Sequence, residues 1–278
     1  MKNDTLTRFS LGGTVALITG GAGFLGKRHA EALLDGGGKV VLIDISKQTL
    51  DSCVKELTKQ YGEDKVFGYI CDITKEKEVE KTVGNIEEEV GPIGILINNA
   101  ANNPKVEKTG SKNFFRLENF PASIWESDLA VGLTGAFLMA KYAGAVMAKR
   151  KKGSIVNISS ELGIVAPDQR LYKMPGKTDE EQPVKPVTYS VIKHGLIGLS
   201  KYLATYYADK GIRSNALALG GVYNNHPDEF VKKLANLTPL GRMAKPDEYK
   251  AAILYLSSDA SSFMTGSTIS IDGGRTCW

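Results

Sequence analysis

The feature of this sequence that most limits its possible folds is the alternation of short, uninterrupted apolar runs with longer amphipathic segments. Strands covered by helices on both faces are apolar throughout, so each apolar run is a predicted strand of a buried sheet. The predicted strands cover residues 15–19, 40–43, 65–70, 93–97, 154–158, 212–217 and 268–271. The amphipathic segments are predicted helices over residues 25–34, 47–61, 75–90, 123–149, 187–208 and 248–257.

This pattern predicts a doubly wound parallel sheet in a three-layer α/β/α arrangement, with right-handed crossovers. A length of 278 residues, 42% of them hydrophobic, suits one domain over residues 1–278 and excludes a disordered or fibrous chain. Two polar stretches, near residues 102–121 and 162–186, follow the carboxyl ends of predicted strands. Ligands bind at that edge of open α/β sheets, so we expect these insertions to cover a substrate site.

Several classes of protein are excluded by composition. The net charge of +4 comes without a dense basic stripe, which argues against nucleic-acid binding. No run reaches the ~18 apolar residues of a membrane span, and the amino terminus lacks a secretory signal pattern. The three cysteines and three histidines have no ligand spacing, so we expect no metal site, and isolated reduced thiols favour a cytoplasmic protein. These residues are Cys53, Cys71, Cys277, His29, His194 and His226.

A glycine-rich turn joins the first predicted strand to the first helix. Gly20, Gly23 and Gly26 have the spacing that a dinucleotide-binding turn needs for a tight bend, close approach of a pyrophosphate and helix packing. Asp44 ends the second strand, where a carboxylate accepts hydrogen bonds from the adenosine ribose and repels a 2′-phosphate. The sequence therefore predicts a Rossmann-type domain that binds NAD rather than NADP.

A tyrosine and a lysine share one face of a predicted helix. Tyr189 and Lys193 are four residues apart, so the ammonium can lie beside the phenol, lower its pKa and enable it to exchange a proton. Ser159 and Ser160 end the fifth strand at the same edge, and either could donate a hydrogen bond to a substrate oxygen. This group suits proton transfer coupled to hydride transfer with a nicotinamide.

From residue 14 to residue 274, the chain resembles the short-chain dehydrogenase/reductases, in their single-domain branch. The motifs that carry the resemblance are the glycine turn, the Tyr189–Lys193 pair, Asp72-Ile73, Asn98-Asn99-Ala100-Ala101, Asn157-Ile158-Ser159-Ser160, Asn215-Ala216, Gly220-Gly221-Val222 and Ile271-Asp272-Gly273-Gly274. The resemblance implies that Ser160, Tyr189 and Lys193 are catalytic. It implies a cofactor site at Gly20, Gly23, Phe24, Leu25, Asp44, Asp72, Ile73, Asn99, Ala100, Tyr189, Lys193, Gly220 and Val222.

The sequence departs from the family pattern at several places, including Phe24 in the glycine turn and Leu219 before Gly220, and two further departures lie at the predicted catalytic residues. Gly132 stands where the family's catalytic tetrad usually has an asparagine, which puts the full proton relay in doubt but not the Tyr–Lys–Ser core. The insertion at residues 162–186 places Ser160 and Tyr189 29 positions apart, farther than in most members. This insertion, the turn and the carboxyl terminus most resemble a subgroup of flagellin-modification proteins, linked with biosynthesis of sialic-acid-like sugars.

The subgroup resemblance suggests a phosphorylated or nucleotide-linked hexose or amino sugar as the substrate. Cations of the two insertions could hold its phosphate, unless they are ordinary solvated charges: Lys105, Lys108, Lys112, Arg116, Arg170, Lys173, Lys177 and Lys185. Family members usually assemble through two helices and the last strand. We therefore expect a homotetramer or homodimer in which Cys277 and Trp278 lie at a contact.

The expected activity is an NAD(H)-dependent interconversion of a secondary alcohol and a ketone. The sequence leaves two alternatives open. One is an isomerase or epimerase that uses bound NAD transiently, which the turn sequence Thr19-Gly20-Gly21-Ala22-Gly23-Phe24-Leu25-Gly26 would suit. The other is a weakly catalytic NAD-binding subunit of a sugar pathway, which Gly132 would suit.

Overall fold

The computed structural model describes residues 4–102 and 114–278. Seven strands form one sheet: β1 (Val15–Thr19), β2 (Lys39–Asp44), β3 (Val66–Ile70), β4 (Ile93–Asn98), β5 (Gly153–Ser160), β6 (Ile212–Leu219) and β7 (Thr268–Ile271). Their spatial order is β3-β2-β1-β4-β5-β6-β7, and every pairing is parallel. The order reverses between β1 and β4, which opens a crevice at the carboxyl edge of the sheet.

The helices cover both faces of this sheet, so the fold is the predicted Rossmann-type three-layer α/β/α domain. They are α1 (Phe24–Asp35), α2 (Lys47–Tyr61), α3 (Glu76–Glu89), α4 (Ala122–Leu129), α5 (Gly135–Arg150), α6 (Val187–Tyr206), α7 (Asp228–Ala235) and α8 (Lys250–Ser257). Two buried apolar clusters lie between the sheet and the helices that cover it. One cluster includes residues of α1 and α8, and the other includes residues of α3 and α5. The strands are apolar throughout because both of their faces are covered.

Two elements differ from the sequence prediction. The helix predicted over residues 123–149 is divided by a π-helical turn at Ala130–Thr134, where the Gly135 N–H bonds to the Ala130 carbonyl. The short helix α7 was not predicted at all, and it lies beside the cavity described below. Both elements lie close to the candidate site. π-Helical turns are frequent at functional sites.

The helical segment Ala122–Arg150 is long and apolar enough, by length and composition alone, to cross a membrane. Its apolar side chains have a different explanation, because Met139, Ala140 and Ala143 of α5 are fully buried against the sheet. The segment is therefore a core helix of this domain.

Candidate active site

A cavity of about 640 Å³ lies at the carboxyl edge of the sheet, where the strand order reverses. It contacts every residue that the sequence assigns to catalysis or cofactor binding. Those residues are Gly20, Gly23, Phe24, Leu25, Asp44, Asp72, Ile73, Asn99, Ala100, Ser160, Tyr189, Lys193, Gly220 and Val222. The fold therefore brings the two ends of the predicted site, glycine turn and tyrosine–lysine pair, into one continuous space.

The glycine turn is shaped by close backbone approaches. Gly20 has a φ of +59°, and a Cβ on Gly26 would stand 2.2 Å from the Gly20 carbonyl oxygen. Asn99 fixes the turn from β4, since its Nδ2 donates to the carbonyls of Thr19 at 3.0 Å and Gly20 at 3.1 Å. These contacts require glycine and leave the amino terminus of α1 open to the cavity, the arrangement that favours an anion such as a pyrophosphate.

Asp44 ends β2 beside the glycine turn, as the sequence predicts. Its carboxylate accepts hydrogen bonds from the N–H groups of Ala22 at 3.3 Å and Ser46 at 3.2 Å. The side chain is partly exposed to the cavity. The two contacts hold the carboxylate in place and leave it able to accept further hydrogen bonds.

The structure distinguishes between the two serines at the end of β5. The Ser159 hydroxyl donates to the Lys193 carbonyl at 2.7 Å and is buried, so it is engaged in the core. The Ser160 hydroxyl accepts a bond from the Leu162 N–H at 3.2 Å, and its proximity opposes the rise in the pKa of Tyr189 that burial causes. Both serines line the cavity, but the Ser159 hydroxyl is already donated to the core, so Ser160 is the serine that can donate to a substrate oxygen.

Tyr189 and Lys193 of α6 both line the cavity, but their electrostatics differ from the expectation. Burial raises the pKa of Tyr189, and the Ser160 hydrogen bond only partly opposes this rise. Lys193 Nζ lies 5.7 Å from the Tyr189 ring centre and donates to the Ile158 carbonyl at 2.8 Å. Burial, together with repulsion from Lys185, lowers the pKa of Lys193 to about 8. Desolvation and the negative charge of Glu161 raise the pKa of Tyr189 in this structure, in the direction opposite to the lowering by Lys193 that the sequence predicted.

Gly132 lies in the π-helical turn and is packed against α6. A Cβ at this position would come within 2.6 Å of Ile192 Cγ2. An asparagine here would therefore require Ile192 to move. No side-chain amide serves a proton relay at this position.

Lys185, in the second insertion, lies over the ring of Tyr189, with Nζ 3.8 Å from the ring centre. The Gln169 side chain holds its backbone by accepting from the Lys185 N–H at 2.9 Å and donating to its carbonyl at 3.4 Å. Pro186 further restricts Lys185 to an extended conformation. Burial lowers the pKa of Lys185 to about 8, and the opposite charge of Glu161 limits this effect.

Most of the other insertion cations that the sequence suggested for phosphate binding do not reach the cavity. Arg170 pairs with Asp168 at 2.7 Å, and Arg116 pairs with Glu118. Neither they nor Lys173 and Lys177 line the cavity. Lys105, Lys108 and Lys112 lie outside the described residues. The sequence position of a loop residue does not show which way its side chain points, so the sequence could not tell which cations reach the cavity.

Two residues that sequence reasoning did not assign also line the cavity. Glu161 directly follows Ser160 and is 6% exposed, and burial raises its pKa to about 7 against the opposing effect of Arg275. Arg275 follows the last strand. The signals available in the sequence were the position of Glu161 next to Ser160 and that of Arg275 after the Asp272-Gly273-Gly274 motif.

Comparisons with known proteins identify the family to which this fold belongs. Residues 14–172 match the family model described as short chain dehydrogenase, and residues 179–276 match the one described as Enoyl-(Acyl carrier protein) reductase. An uncharacterized oxidoreductase of Thermotoga maritima is 35% identical over 95% of this chain and 98% of its own length. D-threitol dehydrogenase of Mycolicibacterium smegmatis is 31% identical over 96% of this chain and 95% of its own length.

A gluconate 5-dehydrogenase from Burkholderia cenocepacia, solved in complex with NADP and tartrate, is similar in structure as well. It is 26% identical, with a TM-score of 0.84 over 99% of this chain and all of that chain. The chain belongs to the short-chain dehydrogenase/reductase family and is an oxidoreductase of that family.

Proposed function

We propose that this protein is an NAD(H)-dependent dehydrogenase/reductase that interconverts a secondary alcohol and a ketone on a polyhydroxylated, anionic, sugar-type substrate. The observation that carries this proposal is the single cavity in which Ser160, Tyr189 and Lys193 meet the glycine turn and Asp44. In such a site one side chain can exchange a proton with the substrate oxygen while a hydride moves at the adjacent carbon.

The residues of the cavity fit NAD. The glycine turn has no room for a side chain at Gly20, Gly21 or Gly26 and would bind the pyrophosphate, and Asp44 would bind the adenosine ribose hydroxyls. Asp72 and Ile73 would contact the adenine, while Asn99, Ala100, Gly220 and Val222 would lie along the cofactor towards its nicotinamide. When bound, NAD supplies a hydride acceptor, and its reduced form supplies a hydride donor.

Three side chains would carry the proton chemistry. Ser160 donates a hydrogen bond to the substrate oxygen, and Tyr189 takes the hydroxyl proton in oxidation or returns it in reduction. Lys193, held by the Ile158 carbonyl, places a cation near the tyrosine and within reach of a bound ribose. Burial alone favours the neutral form of the Tyr189 phenol. The catalytic proton transfer therefore depends on the two polar neighbours of the phenol, Ser160 and Lys193.

Two cations in the cavity are the reason for proposing that the substrate carries an anionic group, as a phosphorylated or nucleotide-linked sugar does. Lys185 and Arg275 line the cavity, and within the described residues neither has a carboxylate within 4 Å. Both can therefore form charge-assisted hydrogen bonds to a phosphate or carboxylate. A place in surface-glycan or flagellin-glycan biosynthesis would suit such a substrate.

Assembly and location are also part of this proposal. Phe137 on α5, and Tyr202 and Tyr206 on α6, are exposed on the monomer, and Trp278 is 73% exposed. These apolar side chains would be covered in a homodimer or homotetramer. Cys53 and Cys71 are buried free thiols and Cys277 is an exposed free thiol, which suits the reducing cytoplasm.

The proposal is tested by incubating purified protein and NAD with sugar phosphates, nucleotide sugars, neutral polyols and simple alcohols. We expect net NADH, followed by its absorbance, with at least one polyhydroxylated substrate and higher kcat/KM for phosphorylated members than for their neutral parents. Conversion of a sugar without net NADH would instead indicate an epimerase. Tight NAD binding without conversion of any compound would indicate a weakly catalytic subunit.

A further inference from the structure

Glu161 is a buried carboxyl group at the catalytic end of the cavity. It adjoins Ser160 in the chain, lines the same space as Tyr189 and is only 6% exposed. Among the residues that the structure describes, no lysine, arginine or histidine nitrogen lies within 4 Å of its oxygens. The protein thus keeps an acidic side chain in its reaction cavity without a contacting cation.

Hydrogen bonds hold the backbone around Glu161 in place, so the fold determines where this residue lies. The N–H groups of Ile164 and Val165 both donate to the Glu161 carbonyl at 2.9 Å. On the preceding residue, the Ser160 hydroxyl accepts from the Leu162 N–H. A carboxyl group held in a cavity at the cost of desolvation is a candidate for contact with a ligand.

The charges around Glu161 are of both signs. Arg275 and Lys185 lower the pKa of the carboxyl group, whereas Asp272 raises it. A neutral hydroxyl group meets no net repulsion among such charges, and it can hydrogen-bond to a carboxyl group in either protonation state. The cavity therefore suits a hydroxyl group at this position.

We propose that Glu161 is a specificity-determining residue that binds a second hydroxyl group of the substrate, on the carbon next to the reacting one. Ser160 and Tyr189 hold the reacting oxygen, and Glu161, as the neighbour of Ser160, meets the adjacent substituent. The substrates are then vicinal diols in oxidation and α-hydroxy ketones in reduction. This inference rests on the proposed function, because it assumes that Ser160 and Tyr189 bind the reacting oxygen.

The test uses two neutral ketones that differ in one hydroxyl group, 3-hydroxybutan-2-one and butan-2-one, with NADH consumption as the readout. Wild-type protein should reduce the hydroxy ketone with kcat/KM at least about tenfold higher, since sites built around a hydroxyl group reject analogues that lack it. Glu161→Leu should lose about 10- to 100-fold on the hydroxy ketone and change little on butan-2-one. Glu161→Gln, which keeps hydrogen-bonding atoms, should retain part of the preference.

The matched control is Glu180→Gln, which alters an exposed carboxylate of the second insertion and should leave both rates unchanged. Equal losses on both ketones in Glu161→Leu, or an unchanged preference, would overturn the inference. So would a wild-type protein that oxidises a sugar of the earlier panel but reduces neither ketone. A protein inactive on every compound would instead overturn the proposed function, and this separates the two failures.

Discussion

Replacing Tyr189 with phenylalanine is expected to lower kcat by about 10²- to 10⁴-fold, the usual contribution of a positioned acid or base. The change removes one hydroxyl group, on a residue that lines the cavity together with Ser160, and leaves the ring that packs against Lys185. Because the glycine turn and Asp44 are untouched, NAD affinity should change little. Steady-state kinetics on the best substrate of the panel and a fluorescence titration with NADH measure the two quantities separately.

Tyr61→Phe is the matched control for this substitution. Tyr61 ends α2, does not line the cavity and would lose only an exposed hydrogen bond to Asp35, so its variant should keep the wild-type rate. Full activity in Tyr189→Phe would show that another group transfers the proton. Loss of NADH binding in that variant would show that the hydroxyl group has a structural role instead.

Replacing Asp44 with alanine is expected to weaken NAD binding and relax the exclusion of NADP. Loss of a charge-assisted hydrogen bond to the ribose, worth about 1.5–3 kcal/mol, should weaken NAD binding about 10- to 100-fold. Removal of the carboxylate also ends its repulsion of a 2′-phosphate, so NADP use should rise. The readout is the ratio of kcat/KM for NAD to that for NADP, which should fall by about 10²-fold or more.

Asp44 also supports the backbone of the glycine turn, and a second variant separates that role from its charge. Asp44→Asn removes the charge and keeps one oxygen, which can accept from only one of the two N–H groups, because Ala22 and Ser46 bond to different oxygens of the carboxylate. It should relax the exclusion of NADP and lose less thermal stability than Asp44→Ala. Asp51→Ala, which loses only an exposed pair with Lys47, should leave the ratio unchanged. An unchanged ratio in both Asp44 variants would mean that another residue selects the cofactor.

The sheet was predictable from the sequence because its strands are buried on both faces. All seven predicted strands occur, most of them within one or two residues of the expected limits. The site at the carboxyl edge followed from the same reasoning, since parallel strands end together and the glycine turn has a spacing that few other structures need.

Other features depended on tertiary contacts that a single sequence does not contain. The π-helical turn at Ala130–Thr134 adds a residue to a helix without breaking its apolar face, so periodicity alone does not reveal it. Helix α7 has only eight residues, too few for a periodic pattern to stand out. Loop cations look alike in sequence, and only folding shows that Lys185 enters the cavity while Arg170 pairs with Asp168.

In the proposed function, a hydride moves between a secondary carbon of the substrate and NAD in the cavity beside Tyr189. To follow it, the best substrate is supplied with deuterium on the carbon that bears the reacting hydroxyl group, and the label is traced by mass spectrometry. We expect one deuterium in each NADH released, with the ketone formed in equal amount. Deuterium that stays in a sugar isomer, or never leaves the substrate while NAD is bound, would rule out this hydride transfer.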